Sequence, residues 1–244
     1  TIAGTQAYTI TNLTNNVTSG NGLTFSTNNP TVTTLTQGTS AVVTFSGTVP
    51  TITTLTATAS PNTVQYTSGS SQTIKGTTMH HLSLSGASTK TLGATTALNG
   101  NLTVSAGTLA LSTLGLTVTG TSSITGTLND DSATGTNIFV GAVTLNSGST
   151  WSNTNNPAFT FRGGLTVNTV STFSSGSGVY TFDTNTQTID GTQAYTITNV
   201  TTNITSGNGL TFTTNNPTVT TLTQGMGSSL TFSGTVPTIT TLTD

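Results

Sequence analysis

The chain has no cysteine, no glutamate and almost no charge. Without thiols there is neither a disulfide frame nor a thiolate metal site. The bases are Lys75, Lys90 and Arg162; the acids are Asp130, Asp131, Asp183, Asp190 and Asp244. Charged residues are 3% of the chain, against about 25% in ordinary globular proteins. Three bases cannot neutralise a run of phosphates, so nucleic acid is excluded as a partner. No apolar run approaches the ~18 residues that a membrane-crossing helix needs, so no membrane span is expected. Neither a signal peptide nor an initiator Met is present, and Thr1 reads as a processed start or the edge of a longer protein. Disorder couples low hydrophobicity to high net charge. Here 31% of residues are hydrophobic and the net charge is −2, which points to ordered structure.

Threonine fills the gap, with 69 of 244 positions, followed by Ser, Asn and Gly. Good helix formers are scarce, and no stretch carries the i, i+3, i+4, i+7 apolar pattern. The strand template recurs instead, as apolar-polar-apolar triplets bounded by Gly, Ser or Asn. Examples are Leu23-Thr-Phe25, Val43-Thr-Phe45, Val64-Gln-Tyr66, Leu82-Ser-Leu84, Leu102-Thr-Val104, Leu109-Ala-Leu111, Leu116-Thr-Val118, Phe159-Thr-Phe161 and Leu210-Thr-Phe212. In a strand the outer pair faces one way and the middle residue the other.

The triplets belong to a repeat. Pro30-Thr-Val-Thr-Thr-Leu-Thr36 returns 20 residues later as Pro50-Thr-Ile-Thr-Thr-Leu-Thr56, and each is followed by a turn and a triplet. A unit of about 20 residues is too small to bury its own apolar face, so neighbours must stack. The chain is therefore expected to be an all-β, right-handed parallel β-solenoid with coils of roughly 20–22 residues and no capping elements. About 12 coils spaced ~4.8 Å apart would make a rod of roughly 55 Å. In such a stack Thr lies above Thr, which favours the pleat, whereas charge above like charge repels. The pairs Asn15-Asn16, Asn28-Asn29, Asn155-Asn156 and Asn215-Asn216, with Gly20-Asn-Gly22, read as turns.

A longer repeat overlies the short one. Residues 188–244 repeat residues 1–57 without a gap, with 46 of 57 positions identical. Only Thr39-Ser-Ala-Val-Val43 is rewritten, as Met226-Gly-Ser-Ser-Leu230. Residues 72–186 are less regular and hold Met79, His80, His81, Trp151 and Arg162. No linker is visible, so residues 1–244 read as one elongated domain.

Gln72-Thr-Ile-Lys-Gly-Thr77, Leu82-Ser-Leu-Ser-Gly-Ala87, Lys90-Thr-Leu92, Leu98-Asn-Gly-Asn-Leu-Thr-Val-Ser-Ala-Gly-Thr-Leu109 and Leu116-Thr-Val-Thr-Gly-Thr121 resemble the bacterial β-strand-repeat surface proteins. These are broadly similar to filamentous-haemagglutinin-like β-solenoid adhesins and exoproteins. The likeness is one of texture over nearly the whole chain. It implies secretion to the cell surface or beyond and a structural or adhesive role, and it supplies no catalytic residue.

The residues themselves offer little chemistry. Asp130-Asp131 is the only adjacent acid pair; it sits in a turn-like phrase, and consecutive strand residues face opposite ways, which suits neither paired acid–base catalysis nor more than a weak Ca²⁺ contact. His80-His81 gives two ligands without a third, on alternating faces, and so no zinc site. Trp151 reads as a packing residue, with a small recognition patch shared with Arg162 as the alternative. Sequons at Asn12, Asn16, Asn101, Asn199 and Asn203 leave attached glycans open. No enzyme, cofactor or metal is expected. The function expected is an extracellular filament, sheath or surface fibre whose solenoid ends stack on further copies, head to tail. A rigid adhesin stalk is the first alternative. An ice-binding array of Thr9-Ile-Thr11, Thr31-Val-Thr33, Thr51-Ile-Thr53 and Thr117-Val-Thr119 is the second.

Overall fold

The structure, a computed structural model, describes residues 1–4, 6–26, 30–207, 209–213 and 217–244. Thr5 and the pairs Asn28-Asn29 and Asn215-Asn216 lie outside the described residues. Among those described there is no helix, and every ladder is parallel, as the stacking of like on like requires. The chain is a β-solenoid of about 11 turns.

One sheet runs the length of the molecule. Its eleven strands start at Leu23–Phe25 and end at Leu230–Phe232. Their middle residues form a polar column, Thr24, Thr44, Gln65, Ser83, Thr103, Ser123, Thr144 and Thr166, while the flanking residues point inward. Coil length follows from successive partners. It is 18 residues from Val64 to Leu82 and 24 from Leu165 to Ile189, a wider range than the triplet spacing suggests. The long coil is absorbed in the strand Gln187–Gly191. It pairs on one edge through Ile189 to Gly191 and on the other through Gln187 to Ile189. A slip of two residues keeps the same side chains inward, where a slip of one would turn Ile189 out.

A second face carries the apolar-x-x-apolar phrases. Near both termini these are long strands, Thr9–Asn15, Thr31–Gln37 and Thr51–Thr56, then Thr196–Asn203, Thr218–Gln224 and Ile239–Thr243. Val32 and Leu35 are both buried although three residues apart, which a flat strand forbids. The ladders show how: Thr9, Ile10, Asn12 and Leu13 pair with Thr31, Val32, Thr34 and Leu35, passing over Thr11 and Thr33. The same position is passed over at Thr33/Thr53, Thr198/Thr220 and Thr220/Thr240. The strand bends there, and both apolar residues face in.

Between Gln72 and Ser174 a third sheet of six strands, from Gln72–Ile74 to Thr172–Ser174, widens the coil from two sides to three. This irregular middle takes the largest side chains. Trp151 is fully buried against Phe159, at 4.8 Å between ring centroids, and Phe161 stacks on Phe182 at 5.1 Å. The narrower N-terminal coils hold one aromatic file, Phe25 on Phe45 at 5.5 Å and Phe45 on Tyr66 at 5.0 Å. Each buried Leu, Val or Phe contributes roughly 1.5–3 kcal/mol by leaving water, and the core runs without a break from coil to coil.

Corners are held by side-chain amides. Asn15, expected in a turn, ends a strand and donates to the Gln37 side chain at 2.6 Å and to the Val42 carbonyl at 2.7 Å. Gln37 in turn donates to the Thr63 carbonyl at 3.1 Å, one coil further on. Asn156 does take the left-handed turn conformation, with φ 67°, as do Gly20 and Gly22.

Candidate functional site

The sequence candidates do not converge. Asp130 ends the strand Thr127–Asp130 with its carboxylate fully buried. It accepts from the Asn137 side-chain amide at 2.6 Å and from the Ser132 N–H at 3.2 Å. Burial pushes its carboxyl above the ordinary carboxylate range, against the pull of those hydrogen bonds. Asp131 is exposed while Asp130 is buried, so the two acids share no cavity, although the charge of Asp131 adds a smaller upward push on Asp130.

His80 and His81 depart from the alternation expected of them. His80 precedes the strand His81–Leu84, and the rings meet edge to face with centroids 4.2 Å apart. His80 Nε2 lies 3.2 Å from Ser60 Oγ. His81 Nδ1 accepts the Asn101 backbone N–H at 2.8 Å, which leaves Nε2 to carry the proton of the neutral ring. Desolvation, and secondarily His80, lower the pKa of His81. No group of three or more His, Cys, Asp or Glu side chains occurs among the described residues.

Trp151 faces the core and Arg162 faces solvent. The indole lies inside the core and donates to the Tyr180 hydroxyl at 2.7 Å. Arg162 lies at the surface, where its guanidinium grips both Asp183 carboxylate oxygens, at 2.9 and 3.2 Å, one coil apart. They form no recognition patch. Of the sequon asparagines, Asn12, Asn16, Asn101 and Asn203 are exposed, while the amide nitrogen of Asn199 is occupied by the Ser177 carbonyl at 2.7 Å.

Three of the four Thr-x-Thr phrases lie in register; Thr117-Val-Thr119 does not join them, since Thr117 pairs with Ala97 and Ile138 in the middle coils. Thr9, Thr31 and Thr51 form one exposed column, and Thr11, Thr33 and Thr53 follow the same coils. The second column sits at the bend, so the two do not share a flat plane. Each array is three coils deep, and the three-sided middle separates them.

Sequence reasoning missed Lys90. It occupies an inward position in Thr89–Leu92, paired with Gln72 on one side and Leu109 on the other. Its ammonium donates to the carbonyls of Ser68, Ser70 and Ser88 at 2.8, 3.3 and 3.4 Å. The spacing Lys90-Thr-Leu92 is that of the triplets, and this was the available signal. Two surface grooves, of ≈ 430 and ≈ 360 Å³, flank Gln72–Ile74 where the third sheet begins. The first is lined by hydroxyls, amides and apolar groups, with no ionisable side chain for proton transfer.

The chain matches no family model, no characterised protein and no solved structure.

Proposed function

We propose that the chain is a structural element of an extracellular filament or surface fibre, a rod lengthened by stacking further coils on its end coils. The observation that carries this reading is a comparison of residues at equivalent places in the long repeat. Leu55 is 4% exposed and its counterpart Leu242 is 59% exposed; Phe45 is fully buried and its counterpart Phe232 is 40% exposed. At the other end Tyr195 is 7% exposed and Tyr8 is 40% exposed. The side chain, motif and local ladder are shared within each pair. What differs is the presence of an adjoining coil. Each of these side chains is therefore buried wherever a further coil lies against it, and residues 188–244 repeat the coils of residues 1–57, so the same stacking surface recurs along the rod.

The rest of the chain agrees with a spacer or fibre role. Its ionisable groups are scattered, its core is continuous, and its surface is hydroxyl-rich. The resemblance to β-strand-repeat surface proteins and the Thr-rich, nearly uncharged composition favour a location outside the cell. Electron microscopy of the concentrated protein is the test. Unbranched fibres about one solenoid wide are expected; a monodisperse solution of short rods at every concentration overturns the reading.

A further inference from the structure

Lys75 and Asp131 lie on one ridge of the rod. Thr73, Thr91, Ala110 and Asn129 pair in file across four successive strands of the third sheet. Two residues beyond them come Lys75, Gly93, Ser112 and Asp131, where the chain leaves that sheet at a corner. The two charges are thus three coil steps apart along the ridge, about 14 Å. We propose that this ridge pairs with the same ridge of a second, antiparallel copy of the chain, Lys75 of each meeting Asp131 of the other.

The charges single this ridge out. Among the described residues the one ion pair is Arg162 with Asp183. Lys90 and Asp130 are buried, and Asp190 belongs to the through sheet on another face. Lys75 and Asp131 each follow a buried residue, Ile74 and Asp130, and so turn outward. Both are held at the backbone. The Lys75 N–H donates to the Tyr66 hydroxyl at 2.8 Å, and the Asn155 side chain donates to the Asp131 carbonyl. Gly93 and Ser112, between them, are small and uncharged, so nothing on the ridge keeps a second ridge away.

Symmetry decides the direction. A two-fold axis crossing the ridge midway between Gly93 and Ser112 exchanges the levels of Lys75 and Asp131, so both pairs form at once. Parallel ridges in step would set Lys75 on Lys75 and Asp131 on Asp131. Exposed ion pairs add little affinity by themselves, so apolar contact is needed as well. A groove of ≈ 360 Å³ beside Lys75, walled by Val49, Pro50, Ile52, Ile74 and Ala94, supplies it. Its occupant is the loop Asp131-Ser-Ala-Thr134 of the second copy. That loop sets its Asp131 against the ammonium at the rim and its exposed Ala133 methyl in the groove. The contact lies within residues 49–134 and needs no end-to-end stacking.

Carbodiimide coupling reads this contact directly, because it joins an ammonium to a carboxylate with no spacer. Lys75 and Asp131 of one chain, about 14 Å apart, cannot be joined. A Lys75–Asp131 link found by mass spectrometry therefore reports a second copy. That link is expected as the main product at about 10 mM salt. It should fall roughly tenfold at about 1 M salt, where the screening length shrinks from about 30 Å to about 3 Å. Ala94→Trp, at an exposed position, keeps both reactive groups but fills the groove and is expected to remove most of the link. Asp131→Lys alone sets lysine on lysine and is expected to abolish pairing in sedimentation, and adding Lys75→Asp is expected to restore both pairing and link. Links from Lys75 to Asp190 or Asp244, a yield indifferent to Ala94→Trp, or no link at any concentration overturn the contact. Fibres that still form in those cases leave the filament reading standing.

Discussion

The Trp151 indole and the Tyr180 hydroxyl, 29 residues apart in sequence, meet at 2.7 Å inside the widest part of the solenoid. Asn153 donates to the same hydroxyl at 3.2 Å, and burial pushes the phenol pKa well up. The hydroxyl thus accepts two buried N–H groups that have no route to water. Tyr180→Phe leaves both without their acceptor and is expected to cost about 1–3 kcal/mol. Trp151→Ala removes the centre of the aromatic cluster and is expected to cost about 3–5 kcal/mol. Urea denaturation gives both numbers, with the Trp151 emission as the probe for the first.

Leu242 is 59% exposed, so Leu242→Asp is expected to leave monomer stability within about 0.5 kcal/mol. It places a carboxylate where a further coil would stack and is expected to abolish fibres. Its repeat counterpart, Leu55→Asp, buries that charge in the core and should prevent folding altogether. Sedimentation and thermal melting distinguish the two. Loss of monomer stability in the Leu242 variant would contradict this account.

Gly209 adopts φ +65°, and a Cβ there would lie 2.0 Å from the Ser229 carbonyl oxygen of the next coil. Gly22, its counterpart, has φ +60° and a Cβ would lie 1.9 Å from the Val42 carbonyl oxygen. Alanine at either place strains the turn and pushes the coils apart. The expected loss is more than about 1 kcal/mol at each site, read from the shift in urea midpoint.

Asp130 gives the stability a pH dependence of known sign. Its folded pKa is raised, so between the unfolded and folded values the folded state binds more protons. Stability from this group is fully present below the ordinary carboxylate pKa and is lost as pH rises through the folded one. His81, lowered by burial, acts oppositely and weakens the fold as pH falls through the ordinary imidazole range. Subtracting the Asp130→Asn variant isolates the first effect. The wild type should gain on the variant as pH falls from 7 toward 4, and a difference that shrinks would contradict the assignment.

The repeat made the architecture readable. Leu82-Ser-Leu84 and Leu102-Thr-Val104 lie in the through sheet as inward-outward-inward strands, paired residue for residue. Triplet pattern alone did not say which face a strand joins: Leu109-Ala-Leu111 overlaps a strand of the third sheet and Leu116-Thr-Val118 lies in the second. The third sheet was hidden because polar side chains hold inward places in it. Gln72 is 6% exposed and donates to the Phe45 and Gly47 carbonyls at 2.9 and 2.8 Å. Lys90 stands on the same column. Their hydrogen bonds run to backbone in neighbouring coils, and no local pattern signals them. The bend in Thr31–Gln37 was visible as the spacing of Val32 and Leu35, but its conformation depends on strands stacked above and below.

Fibre diffraction from aligned filaments tests the central claim most directly. If coils stack end on end from copy to copy, a meridional reflection near ~4.8 Å is expected, with an axial subunit repeat of roughly 50 Å from eleven stacked strands. An equatorial ~4.8 Å spacing, with strands running along the fibre axis, would contradict it.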